Sequence, residues 1–174
     1  MKDIVGRKLM TMRIQAVMPL IRGRLLDIGC GTNKLARAYG SGVGVDVYDW
    51  GGVDYVVEDS ARLPFQDASF DTVTIIAALN HISNREEVLT ECKRLLTSDG
   101  RLIITMISPR ISAVWHSLRS PWDADQRERG MTEGEVFGFT SEQLIELARG
   151  RGFRLVDQKR FMLWLNSIYI FKKS

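Results

Sequence analysis

Apolar positions along this chain fall into two spacings, and their alternation sets the expected architecture. Leu9, Met12, Val17, Leu20 and Ile21 recur at roughly helical spacing, so the first two dozen residues read as one amphipathic helix that Gly23 stops. Residues 24–28 form a short apolar strand entering a glycine-rich turn at 29–31, and 33–39 read as a short helix ending at Gly40. A second strand is expected at 42–47 and a third at 53–57, with too few residues between them for the helix of a full parallel crossover. Residues 70–77, rich in β-branched side chains, predict a central buried strand. Val88, Leu89, Cys92, Leu95 and Leu96 share one face of a helix at 86–96, with Gly100 beyond its end, and a fifth strand follows at 101–107. Thr140 caps a helix at 141–149 with Glu142 and Gln143 in its first turn, and strands at 153–159 and 168–172 complete the pattern.

Alternating strands and helices predict an α/β fold whose mostly parallel sheet carries helices on both faces. No internal repeat or low-complexity linker interrupts the pattern, so residues 1–174 are expected to form a single domain. The stretch 108–139 is longer than connections in compact domains usually are. It carries Trp115, His116, Arg119, Trp122, Arg127 and Arg129, and reads as a lid over an acceptor pocket with a helix near 111–118. Plain packing for its aromatic residues and a solvated face at 123–129 form the other reading.

Composition narrows the partners more than the fold. The net charge of +3 is small and no run of five basic residues occurs, which argues against nucleic acid as a partner. Cys30 and Cys92 make neither a disulfide framework nor a zinc pattern, and no metal site is expected. Lys2, Asp3, Arg7, Lys8 and Arg13 interrupt the apolar stretches that a signal peptide would need. The apolar-rich run 161–171 is about half the length of a membrane helix and contains Asn166 and Ser167. A cytoplasmic protein is expected.

The informative polar residues sit where strands of such a sheet end, the usual place for a ligand. Asp27-Ile28-Gly29-Cys30-Gly31-Thr32-Asn33 follows the first strand directly. Its glycines permit a sharp turn and close approach of a ligand, although a tight turn alone would use the same pair. Asp27 separates the candidates. A pyrophosphate at this turn would be repelled by a carboxylate two residues before the first glycine. The ammonium and sulfonium of S-adenosylmethionine (SAM) would instead be attracted. The dinucleotide pattern also fails at Lys34, and no Gly-Lys-Ser/Thr of a phosphate loop follows.

Asp46, ending the second strand, is placed to accept from both ribose hydroxyls of an adenosine-containing ligand, or is a surface acid at a strand end. Asp59 accepts from an adenine amino group or caps a helix. His81, just after the fourth strand, is the candidate general base if the acceptor must lose a proton. A loop-bonding or capping histidine is the equal alternative, and Asn80 shares that ambiguity.

In this order and spacing the chain resembles the class I SAM-dependent methyltransferases, especially the small-molecule subgroup that includes quinone-biosynthesis methyltransferases. The resemblance rests on Leu26 to Thr32, Gly44-Val45-Asp46, Asp59 with Leu63-Pro64-Phe65, Ser69 to Val73, Ala78 to Ile82, and Glu91 to Ile104. It runs from about residue 20 to 107, with a weaker echo at Phe139-Thr140 and Gly152-Phe153. It implies a Rossmann-like three-layer sandwich on a seven-stranded, mostly parallel sheet with an antiparallel last strand, trimmed of the helix between strands 2 and 3. It further implies that Asp27, Gly29, Cys30 and Gly31 hold the methionine part of SAM, Asp46 with Val47 the ribose, and Asp59 with Ser60 the adenine edge. Ala77 would line the pocket, Asp71 would be structural, and S-adenosylhomocysteine would be the product.

Asn33 stands where the family usually has a third glycine, and asparagine tolerates left-handed backbone angles better than most residues. The trimmed crossover leaves part of the sheet open to a partner, either a second copy or another protein. Neither the Asn/Asp-Pro-Pro-Tyr/Phe segment of amino-directed nucleic-acid methyltransferases nor a Pro-Cys nucleophile is present. The expected activity is in-line methyl transfer to a small-molecule acceptor, which needs alignment above all. The alternative is a SAM-binding partner or regulatory subunit without activity of its own.

Overall fold

The computed structural model describes residues 4–107, 138–162 and 165–174. The lid expected at 108–139, its helix and its tryptophans and arginines therefore lie outside the described residues, except for Gly138 and Phe139. Helix α1 (Ile4–Val17) leads through a 3₁₀ turn at Met18–Leu20 into β1 (Leu25–Ile28). Then follow α2 (Lys34–Tyr39), β2 (Gly42–Asp46), β3 (Tyr55–Val56), β4 (Phe70–Ile76), α3 (Arg85–Leu95) and β5 (Leu96–Ile107). Helix α4 (Ser141–Gly150), β6 (Phe153–Phe161) and β7 (Asn166–Lys173) complete the described elements.

The strands form one seven-stranded sheet in the order β3-β2-β1-β4-β5-β7-β6. All neighbours pair in parallel except β7, which runs antiparallel to both β5 and β6. This is the Rossmann-like arrangement expected, with the antiparallel strand inserted second from the edge. Strand order reverses between β1 and β4, so a crevice opens beyond their carboxyl ends.

Side chains alternate across the sheet and build two cores. On one face Leu26, Ile28, Val73, Ile75, Leu102, Ile104 and Phe171 pack with Val88, Leu89, Cys92 and Leu95 of α3 and Leu144 and Ala148 of α4. On the other, Leu25, Ile76, Ile103, Ile168 and Ile170 pack with Val17 of α1 and Leu35 of α2. Burial on both faces accounts for the near-continuous apolar runs that marked these strands in the sequence.

Three boundaries differ from the sequence expectation. Helix α1 ends at Val17, because Pro19 lies in the first positions of the 3₁₀ turn and its ring cannot continue an α-helix. Strand β5 begins at Leu96, directly from α3. Leu96 is already extended (φ −71°, ψ 141°), so Gly100 lies within the strand, four residues past the helix cap. β3 is only two residues long. By contrast Thr140 does cap α4, in a reciprocal box with Gln143.

The β2–β3 connection contains no helix, as its length required. A side-chain clamp replaces it. Asn33, fully buried, sits at φ 56°, ψ 33° and donates from Nδ2 to Gly52 O (3.1 Å) and to Asp54 Oδ2 (2.9 Å). The same Asp54 oxygen accepts the Gly44 amide at 2.8 Å. Any Cβ at Gly44 would run into the Asn33 amide. The glycine turn, β2 and the trimmed connection are thus tied together by one asparagine and one aspartate. What the missing helix would have covered is partly open. Val47, Tyr48, Tyr55 and Val56 are each about half exposed.

A second clamp holds the loop after β3. Glu91, buried on α3, accepts the Leu63 amide (2.8 Å) and pairs with Arg94 through both oxygens (2.6 and 2.8 Å). Arg94 also donates to the carbonyls of Phe65 (2.8 Å) and Leu63 (3.2 Å). Asp71 accepts the Arg24 amide at 2.8 Å, the structural task expected of it. Among the described residues no helix is long and apolar enough to cross a membrane.

Replacing Asn33 by alanine keeps the left-handed backbone but loses both side-chain bonds, which should lower unfolding stability by about 2–3 kcal/mol. Glycine at the same position relieves the backbone and should lose clearly less. Urea titration of both variants checks this ordering; a glycine variant as stable as wild type would show the two hydrogen bonds to contribute nothing.

Candidate active site

The crevice beyond β1 and β4 holds a cavity of about 530 Å³. Its floor begins with the turn after β1, where Gly29 (φ 69°) and Gly31 (φ 53°) are both left-handed. The turn is pinned to β2, because the Gly29 and Cys30 amides both donate to Val45 O, at 2.9 and 3.1 Å. Nothing occupies the space that a side chain at Gly31 would fill, so the backbone there stays open to the cavity.

Asp46 does two things at once. Its Oδ2 accepts the Gly31 amide (2.9 Å) and its Oδ1 accepts the Tyr48 amide (3.1 Å), so its carboxylate is oriented from both sides. Each oxygen keeps a further lone pair for a ligand. Asp59 accepts at Oδ1 from the Ala61 amide (2.8 Å) and from Asn84 Nδ2 (2.9 Å). These two bonds, the Ala61 amide first, pull its carboxyl below the ordinary range. No helix follows Asp59, so the capping role drops out and a turn role takes its place.

Of the residues singled out in the sequence, Gly29, Gly31, Asp46, Val47, Asp59, Ser60, Ala77 and His81 line this cavity. Asp27 and Cys30 do not. They stand behind the glycine turn around a small adjoining recess, shared with Met10, Thr32 and Lys34. Asn80 is buried in the 3₁₀ turn Leu79–His81 and does not reach the cavity. Ala77 bends the chain out of β4 with φ 53°, and Thr105 Oγ1 accepts its amide at 3.0 Å. A non-glycine residue in that conformation is strained, and such strain tends to collect at sites of function.

Burial dominates the chemistry of the recess. Asp27 is 2% exposed, accepts from Thr74 Oγ1 at 2.6 Å, and has no cation paired with it among the described residues. Loss of water pushes its pKa up to about 7, against the opposing Thr74 bond, and the Asp46 charge adds to the rise. The Cys30 thiol goes up to about 12, chiefly through burial and then through the charges of Asp27, Asp46 and Asp54. It is no nucleophile at neutral pH.

Sequence reasoning missed Met10 and Arg13 of α1, Trp50 and Glu58 of the loops, and Ser83 and Asn84, all of which line the cavity. One signal was present. Met10, Arg13, Val17 and Ile21 share the stripe of α1 that faces the sheet, and an arginine in such a stripe calls for a reason. The Asn84–Asp59 bond bridges 25 positions and left no local trace.

Residues 26–104 match the family model described as a methyltransferase domain. The ubiquinone/menaquinone biosynthesis C-methyltransferase of Ectopseudomonas mendocina is 32% identical over 123 residues, covering 58% of this chain and 47% of that protein. The chain spans between 24% and 65% of the lengths of three curated relatives. Among solved structures, a SAM-dependent methyltransferase of Thermotoga maritima superposes with a TM-score of 0.74 at 20% identity, covering 99% of this chain and 93% of that one. The 1,6-didemethyltoxoflavin-N1-methyltransferase of Burkholderia thailandensis, solved with its substrate and S-adenosylhomocysteine, gives 0.69 at 17% identity, covering 97% and 82%. At these identities the likeness is one of fold.

The Asp27 shift makes a signed prediction. A carboxyl whose folded pKa is about 7 against an ordinary 3.8 favours folding while it is neutral. That contribution is complete below about pH 4 and is lost as pH rises through 7, at up to about 1.4 kcal/mol per pH unit. Asp27→Asn keeps an acceptor for Thr74 and should remove this slope. Denaturant unfolding of both proteins from pH 4 to pH 8 measures it, and equal slopes would contradict the assignment.

Proposed function

Because residues 26–104 form a methyltransferase domain on a class I fold, we propose that the protein is a SAM-dependent methyltransferase acting on a small-molecule acceptor. The observation that carries the reading is the set of oriented or buried carboxylates around a glycine turn at the switch point of the sheet. Asp46 is aimed along the cavity, and Asp27 sits behind the turn without a counter-ion. This donor set fits an adenosyl ligand bearing positive charge and opposes a pyrophosphate. A cavity of about 530 Å³ is within the size range of sites for such ligands.

In this reading Asp46 accepts from the ribose hydroxyls with Val47 beside it, and Asp59 with Ser60 meets the adenine edge. Gly29, Cys30 and Gly31 present backbone to the methionine portion, Asp27 lies behind them as the balancing negative charge, and Ala77 closes the wall. When bound, SAM supplies a methyl group on an electrophilic sulfonium, leaving S-adenosylhomocysteine. The chain's own work is then to align the acceptor and exclude water. His81, at the mouth of the cavity beyond β4, takes the proton of an acceptor that must lose one. The small-molecule names of the relatives support that acceptor class.

Calorimetry with SAM, S-adenosylhomocysteine and NAD tests the core of the reading. Binding of the two adenosyl sulfur ligands and not of NAD is expected, whereas tight NAD binding without SAM binding would refute it. Asp46→Ala should weaken SAM by about tenfold or more; unchanged affinity would remove the ribose role. Transfer of labelled methyl from SAM into a metabolite pool distinguishes an enzyme from a SAM-binding subunit. Once an acceptor is found, His81→Ala should lower kcat by about a hundredfold or more if a proton must leave.

A further inference from the structure

The cavity is lined by three acids, Asp46, Glu58 and Asp59, and by one Lys or Arg side chain among the described residues, Arg13 of α1. The guanidinium is held at one end. Asn166, 1% exposed at the start of β7, accepts from Arg13 Nε at 3.3 Å and donates to Met106 O at 3.1 Å, so both ends of its amide are used. The two terminal nitrogens of Arg13 have no carboxylate partner among the described residues. Burial lowers the Arg13 pKa, and nothing offsets that loss of hydration. A partly buried cation braced at Nε, with its fork turned loose and no counter-charge, is arranged to receive an anion.

We propose that Arg13 is the anion-binding residue of this cavity and that its partner is the carboxylate of the cofactor's methionine moiety. The assignment rests on the SAM reading above and deepens it. The amino-acid end of SAM is a zwitterion, and Asp27 behind Gly29 suits its ammonium. The same acid, with Asp46, repels the neighbouring carboxylate. Arg13 lines the cavity beside Met10, Gly29 and Ile76, so opposite charges flank the place where the zwitterion must lie. Lys34 is the other cation near the turn, but it is exposed and lines only the outer recess, where water screens it. An acidic acceptor would offer Arg13 the same chemistry, and binding without any acceptor separates the two sources.

The probes are SAM, decarboxylated SAM, S-adenosylhomocysteine and 5′-methylthioadenosine, which lacks the amino-acid moiety, each titrated calorimetrically without acceptor. Wild type should bind SAM at least about tenfold more tightly than decarboxylated SAM. Arg13→Met should abolish that preference and weaken S-adenosylhomocysteine by about ten- to a hundredfold, leaving 5′-methylthioadenosine unchanged. Arg13→Lys should recover part of the loss, and Lys34→Met should leave all four unchanged. If S-adenosylhomocysteine and 5′-methylthioadenosine weaken together, Arg13 merely supports the fold and the proposal is overturned. Unchanged S-adenosylhomocysteine affinity in Arg13→Met, or no wild-type preference for the carboxylated ligand, overturns it as well. Should wild type bind none of the adenosyl ligands, the methyltransferase reading falls and this assignment with it; intact wild-type binding that ignores Arg13 removes only the assignment.

Discussion

Between Gly29 and Asn33 the backbone passes through three left-handed residues in five positions, and the cavity takes its shape from how that turn is held. Glycine adopts such angles freely, while asparagine does so at some energetic expense that its local hydrogen bonds offset. The turn is fastened from β2 by the Val45 carbonyl and by Asp46, and from the short crossover by Asp54 through Asn33. The ligand-facing acid and the structural acid therefore act on the same five residues from the same side. A chain that gave up its crossover helix keeps the turn rigid by replacing a packed element with a hydrogen-bonded one.

The charges of the site follow from that geometry. A carboxylate far enough behind the turn to be out of water, and close enough to another acid to feel it, is held partly neutral at physiological pH. Arrival of a cation in front of the turn returns it to the ionised form, so binding and proton release are coupled. Asp59 shows the opposite adjustment, because an amide and Asn84 stabilise its charge. Two acids of one cavity are thus tuned in opposite directions by what surrounds them.

Periodicity made most elements legible in the sequence. The alternation of Leu102 and Ile104 against Ile103, or Tyr169 and Phe171 against Ile168 and Ile170, is a property of neighbouring positions and survives into the fold as two separate cores. Motif spacing likewise brought Gly29, Gly31, Asp46, Asp59 and His81 to one cavity. What stayed hidden depends on tertiary contact. That Asp27 stands behind the turn follows from the strand pairing of β1 with β4, which delivers Thr74 to it. The early start of β5 is dictated by its partners Phe70 and Lys173, not by its own residues, which read as a helix end. Arg13 acquires its meaning only when α1 crosses the sheet to meet Asn166, 153 positions away in the chain.

Helix α1 is both a wall of the cavity, through Met10 and Arg13, and a packed element of the second core through Val17. Its N-terminal two turns are comparatively thinly packed, with Arg7, Lys8 and Met12 exposed. A ligand touching Met10 and Arg13 therefore supplies part of the free energy that keeps this helix docked, and the ordered helix in turn raises the ligand's affinity. Occupancy of the site and protection of the helix from local opening are two readings of a single equilibrium, so a protease cutting near Arg7 or Lys8 would count how many molecules carry ligand.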